Sequence, residues 1–321
     1  MEHLIIMPEK KLKIAVCFFG HLRSYEKCSQ ALKRNLLQYY DYDLFMHTWA
    51  TIDHNTPTWH NFKMEEGGTD RDKIINSYGS LKSIKIEEQY PKDIGSIIIK
   101  SSNTDKEKQI SLFGMRALFH SMRQSLKECE DYAQNNQVSY DYILFIRPDI
   151  WLKTPFKIDH ILKKVSSSEI KNSFFTFAYP AGQVSNSDFK NLGGVDLCFF
   201  ATPETMVDII ANNELALSHL QSNMIIDHGP ELYLTQFVKD RGFTPYRVES
   251  FIVNRDWEIL RSKQAIKIRR RIISLRVGKR KFLLRIFPLI MYQILSIHFK
   301  LFGLFTIYLS IGHTSAEFND H

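Results

Sequence analysis

An α/β fold with a mostly parallel sheet flanked by helices is predicted by three features of this sequence. Apolar runs of strand length recur without polar alternation, and such runs belong in a parallel sheet covered on both faces. Segments of helical spacing lie between them. The clearest runs from Ser111 to Asp131, where Leu112, Met115, Leu118, Phe119, Met122 and Leu126 form one stripe. The alternation of the two patterns continues to about Asn254, and alternating strands and helices fold as α/β.

The elements follow in order. "LKIAVCFF", Leu12 to Phe19, is a continuous strand ending at Gly20. Ser24 can cap the next helix, whose inner face carries Leu32, Leu36 and Leu37. "YDLFMHTW", Tyr42 to Trp49, is a second strand, so the chain opens as a βαβ unit. Ala50 to Asp70 is polar and reads as a long loop, Ser83 to Ile86 as a third strand, and Asn103 to Gln109 as a charged linker. After the long helix comes "YDYILFIRPDIWL", Tyr140 to Leu152, a strand expected to stay extended through Asp149 because the residue before a proline is biased to β geometry. "FFTFAY" (Phe174 to Tyr179), "VDLCFFAT" (Val195 to Thr202) and Phe243 to Asn254 are further strands. Pro203 and Pro230 each open a helix at the favoured first position. The expected domains are a globular unit over 1–257 and a separate tail over 258–321.

Charge divides the chain in the same place. From Ile259 to Ala316 there is no Asp or Glu and there are 12 Lys or Arg, leaving 30 basic against 35 acidic residues elsewhere. The tail is therefore the part suited to an anionic partner. Arg261 to Arg285 is basic and amphipathic, and Ile286 to Ile311 is strongly apolar but broken by Pro288, Gln293, His298 and Lys300. A central lysine disfavours a spanning helix. The expectation is a helical segment lying on an anionic membrane surface. The four cysteines are scattered, which fits a reducing compartment, and no secretory leader is expected at the start.

Ligands of open α/β sheets bind beyond the carboxyl ends of the strands, so the residues at those ends are the candidates. Gly20 permits close backbone approach, and Arg23 at the start of a helix adds positive charge for a diphosphate. His47 and Trp49 alternate with Thr48, so both face one side, where they either contact a base or sugar ring or pack as a buried pair. Arg147 and Asp149 suit a diphosphate and its metal, and equally a strand-end ion pair. Asp196 interrupts an apolar strand and is costly to bury without a partner, and Glu231 stands in a first helical turn, where the helix dipole alone favours a carboxylate. Asp53, His54 and His60 match no tight zinc spacing. No G-x-S-x-G, Walker loop or G-x-G-x-x-G is present, which removes common hydrolase, NTPase and dehydrogenase readings.

"YDYILFIRPDIWL" resembles the aspartate motif of bacterial GT-A-type glycosyltransferases, particularly the WavE-like group that builds lipopolysaccharide and capsule. "IAVCFFGHLRSY" is similar to that group's first strand with its G-x-x-R element, and "YDLFMHTW" to its second with H-x-W. "LGGVDLCFFATPETM" and "HGPELYLTQF" resemble its later blocks, in the same order. The resemblance implies a GT-A-like, Rossmann-type domain that transfers a sugar from a nucleotide-sugar donor to a lipid-linked or polysaccharide acceptor at the cytoplasmic face of the inner membrane. It implies donor contacts at Gly20, Arg23, His47, Trp49, Arg147 and Asp149, and a base at Asp196 or Glu231. Arg147 stands where the usual D-x-D motif has its first carboxylate. Asp149 would then hold Mn2+ or Mg2+ largely through donor phosphates, or the reaction would need no metal. Two other readings stay open: transfer of another group, such as phosphoryl, to surface polysaccharide, and a non-catalytic, basic-tailed nucleic-acid binder. The tail grows apolar rather than polar along its length, which argues against a nucleic-acid partner.

Overall fold

The computed structural model describes residues 11–53, 67–89, 96–100, 107–111, 113–178, 196–212 and 230–260. All belong to the first of two compact units, Met1–Lys263; the second, Gln264–His321, lies wholly outside the described residues, and so does the whole basic and apolar stretch from Arg261 on which the membrane expectation rests. Among the described residues no helix is long and apolar enough to cross a membrane.

The strands are β1 (Lys13–Phe18), β2 (Asp41–Trp49), β3 (Leu81–Glu87), β4 (Ser96–Lys100), β5 (Glu107–Ser111), β6 (Tyr142–Ile146), β7 (Ile150–Leu152), β8 (Ser173–Phe177), β9 (Cys198–Ala201), β10 (Thr244–Val248) and β11 (Trp257–Ile259). The helices are α1 (Tyr25–Asn35), α2 (Arg71–Tyr78), α3 (Phe113–Asn136), α4 (Ile158–Leu162), α5 (Ser167–Ile170), α6 (Pro203–Ala211) and α7 (Pro230–Asp240). Among the described residues seven strands form the main sheet, in the order β10-β8-β9-β6-β1-β2-β3. β1 runs parallel to β2 and β6, β2 to β3, and β10 to β8, while β9 is antiparallel to both neighbours. The fold is therefore α/β with a mostly parallel mixed sheet, and among the described strands β9 is the reversed one.

The reason for the ungapped apolar runs is two-sided burial. Ile14, Val16 and Phe18 of β1 join Leu32, Leu36, Ile74 and Tyr78 in one core, under α1 and α2. Ala15, Cys17 and Phe19 join Phe119, Met122, Leu126, Met206, Ile209 and Val238 in the other, under α3, α6 and α7. Fully burying one such large side chain contributes roughly 1.5–3 kcal/mol. All four cysteines are buried and free.

Several expectations are corrected. The segment Tyr140–Leu152 is not one strand. β6 stops at Ile146, a turn closed by Ile150 N donating to Arg147 O (3.2 Å) follows, and β7 leaves the main sheet to pair antiparallel with β11. Pro148 has no N–H to continue a ladder, and the turn gives Asp149 a direction that an extended strand would not. The charged linker at 103–109 overlaps β5, which pairs antiparallel with β4; a ladder joins backbone groups and tolerates charged side chains on an edge. Ser24 stands at the N-cap position of α1 but makes no side-chain cap. Phe243–Asn254 contains a strand only over β10. Asp196 lies in a turn before β9, not within it. The globular unit also runs past residue 257: Trp257 and Leu260 are buried, and β11 spans the expected boundary.

Candidate functional site

The chain leaves β1 towards β2 and β3 on one side, then returns to place β6 on the other side of β1. The sheet order reverses between β1 and β6, and open α/β sheets bind ligands beyond the carboxyl ends at such a point. Gly20 and Arg23 follow β1, Asp53 follows β2, and Arg147 and Asp149 follow β6. Because β9 is antiparallel, its starting end meets the finishing end of β6. Ile146 pairs with Cys198, and Arg147 N donates to Leu197 O at 3.1 Å. The reversal thus carries the buried Asp196 to the same edge as Arg147.

Four charged side chains join there. Arg23 Nε donates to Asp53 Oδ1 at 2.8 Å and its Nη1 to Asp149 Oδ2 at 2.9 Å. Arg147 grips Asp149 side-on, Nε to Oδ1 at 3.0 Å and Nη2 to Oδ2. Asp149 is fully buried, and the side chains of Arg23, Asp53 and Arg147 are no more than 11% exposed, so these are not screened surface pairs. Burial alone would raise the Asp149 carboxyl, but the Arg147 and Arg23 guanidinium groups outweigh it and hold the group below the usual carboxylate range. Burial likewise works against the Arg23 charge, and Asp149 and Asp53 hold that group above its ordinary value. Backbone bonds pin the cluster: Arg23 N donates to Ile52 O at 3.1 Å, and Leu260 N to Asp149 O at 2.7 Å.

Two backbone conformations mark the first loop. Gly20 has φ +86°, and nothing lies within 4 Å of where a Cβ would stand, so glycine is needed for conformation rather than space. Arg23 has φ +45°, uncommon for a residue with a long side chain. Such strain persists where the surroundings over-determine it, and here two carboxylates hold the side chain.

A second cluster lies at the ends of β2 and β3. His47 and Trp49 do face one side, with their rings edge to face at 5.0 Å. Trp49 is buried and stacks on the imidazole of His120 from α3, with centroids 5.7 Å apart, so it has the packed environment of a buried pair. His47 Nε2 lies 3.1 Å and His120 Nε2 2.7 Å from Glu87 Oε2. His47 Nδ1 lies 2.7 Å from Ser121 Oγ, which also accepts from Gly20 N at 2.7 Å. Burial lowers the His47 pKa to about 4 against the pull of Glu87. Glu87 is lowered to about 2: burial would raise it, but hydrogen bonds from Lys85, His120 and His47 prevail.

The sequence reading missed Glu87, His120 and Ser121. Glu87 ends a strand and has no local signal, since only sheet order brings it beside Trp49, its register partner. A signal did exist for the other two: both are polar, and they stand between the buried Phe119 and Met122. Asp53 belongs with Arg23, and His54 and His60, the other members of the weighed zinc grouping, lie outside the described residues. Glu231 falls in the first turn of α7, but its side chain is outside the described part.

A hard divalent cation fits poorly at Asp149 as it stands. Both oxygens already accept from guanidinium groups, and the ion would face two positive charges. Among the described residues the cluster with metal-ligand geometry is His47, Glu87 and His120, whose ligand atoms all lie within 4.8 Å of one another. No protein-family model and no curated protein matches this chain, so its own residues carry the functional argument.

Proposed function

We propose that this protein is a GT-A-like glycosyltransferase that uses a nucleotide-sugar donor. One observation carries the reading: Gly20, Arg23, Arg147 and Asp149, expected from separate stretches to meet the donor, all stand just past the carboxyl ends of β1 and β6, where the sheet order reverses. A guanidinium has five N–H donors. Two from each arginine go to carboxylates, and the remainder can meet a diphosphate. Asp149 would then act as a positioning residue that holds both arginines in place. Asp196, beside Arg147, would take the proton of the acceptor hydroxyl if the reaction inverts, which sharpens a weak nucleophile as the anomeric bond to the leaving diphosphate breaks. Glu231 is the second choice. The acceptor is a lipid-linked or polysaccharide hydroxyl in lipopolysaccharide or capsule synthesis. The basic tail would bring the enzyme to an anionic membrane at the cytoplasmic face, where such acceptors reside.

A second reading rests on burial: the four charges satisfy one another and would only tie the sheet edge together. Thermal shift against a panel of nucleoside diphosphates separates the two. A shift with one nucleotide, with slow hydrolysis of the matching nucleotide sugar, supports the transferase. No shift with any nucleotide and no donor hydrolysis would leave the architectural reading.

A further inference from the structure

We propose that His47, Glu87 and His120 form a binding site for a borderline divalent metal of the Zn2+ type. The donor set is two imidazole nitrogens and one carboxylate oxygen, which suits such ions better than Mg2+ or Ca2+. Zinc bonds of about 2.0–2.2 Å in a tetrahedral shell put ligand atoms roughly 3.3 Å apart. The separations from Glu87 Oε2, 3.1 and 2.7 Å, come within a small side-chain adjustment of that value. The ligands stand on three different elements, β2, β3 and α3, so the frame exists without the ion.

The surroundings supply what a metal site needs beyond its ligands. Ser121 Oγ contacts His47 Nδ1 and is able either to donate to it or to accept from it. It can therefore support the tautomer that donates to Glu87 and the one that frees Nε2 for a metal, the usual way an outer hydroxyl orients a ligating imidazole. Lys85 Nζ bonds Glu87 Oε1 at 2.6 Å and Gln124 Oε1 at 2.7 Å, which reserves Glu87 Oε2 for the ion. His47 is buried, but the Glu87 side chain is 28% exposed and that of His120 14%, which leaves one side open for entry and for a bound water. The site does not depend on the transferase reading. It would also connect to the first loop, because Ser121 accepts from Gly20 N.

The test is Zn2+ binding to the metal-stripped full chain, by calorimetry and elemental analysis. The chain has 12 histidines, so variants provide the contrast. Wild type should hold one more equivalent than His120→Ala or Glu87→Gln, and Ser121→Ala should weaken that equivalent about 10–100-fold. Mg2+ in excess should not displace it. Equal stoichiometry and affinity in wild type and both ligand variants would overturn the proposal. If a variant fails to fold, anomalous diffraction from Zn2+-soaked wild-type crystals decides: a peak among the three side chains upholds the site, and its absence there rejects it.

Discussion

Arg23 and Asp149 are 126 residues apart in the chain, yet Arg23 Nη1 donates to Asp149 Oδ2 at 2.9 Å inside the protein. This pair joins the loop after β1 to the turn after β6. It also changes what a substitution at either position should do.

Asp149→Asn should destabilise the fold and, on the transferase reading, lower activity as well. The substitution removes the carboxylate that Arg147 grips and leaves the buried Arg23 with Asp53 alone, and breaking a buried pair costs on the order of 3–5 kcal/mol. Urea unfolding at neutral pH should show the loss. The folded Asp149 carboxyl is held below its ordinary value, so the unfolded chain takes up its proton first as pH falls. Its contribution is complete above about pH 4 and disappears as pH drops through the depressed folded value. The variant should therefore show a shallower acid limb than wild type. Equal stability of the two proteins at pH 7 would mean that the ion cluster contributes nothing net.

Arg23→Lys keeps the charge but loses the fork. One guanidinium reaches Asp53 and Asp149 through two different nitrogens, and an ammonium on a flexible stem does not reproduce that geometry. One charge-assisted bond, about 1.5–3 kcal/mol, should be lost in chemical denaturation. On the transferase reading, the thermal shift induced by nucleoside diphosphate should shrink or vanish as well. A variant as stable as wild type and still nucleotide-responsive would show that the fork is dispensable.

Gly20→Ala tests backbone conformation alone, because the space around a new Cβ is open. Holding alanine at φ +86° should cost about 1–2 kcal/mol with no steric clash. A change under half of that in the unfolding free energy would show that the loop relaxes freely.

Two truncations separate tail from domain. A chain ending at Leu260 keeps β11 and the Leu260 N bond to Asp149 O, so it should stay folded. If the tail is the membrane element, full-length protein should pellet with anionic vesicles and this truncated form should remain in solution. A chain ending at Trp257 loses most of β11 and the Leu260 bond, and should melt lower than the Leu260 form. Identical melting of the two truncations would remove β11 from the list of supports for Asp149, and vesicle binding by the Leu260 form would remove the tail from the membrane reading.

What the sequence alone determined is the α/β class, the main apolar strands and the charged residues that follow them. Runs such as Ile14–Phe19 and Tyr142–Ile146 have no polar face, so only a doubly covered sheet can bury them, and the structure puts helices on both sides. Gly20, Arg23, Arg147 and Asp149 were legible because each breaks an apolar pattern at a strand end. Pairing partners were not legible. Nothing in "GGVDLCFF" reveals that β9 runs backwards, since a strand buried on both faces reads the same in either direction. That reversal sets the edge on which Asp196 stands. Only the tertiary structure joined Arg23 to Asp149, and His47 to Glu87 and His120, because such contacts arise from sheet order and helix packing. Local periodicity records which face of an element is buried, but it carries no trace of what that face meets.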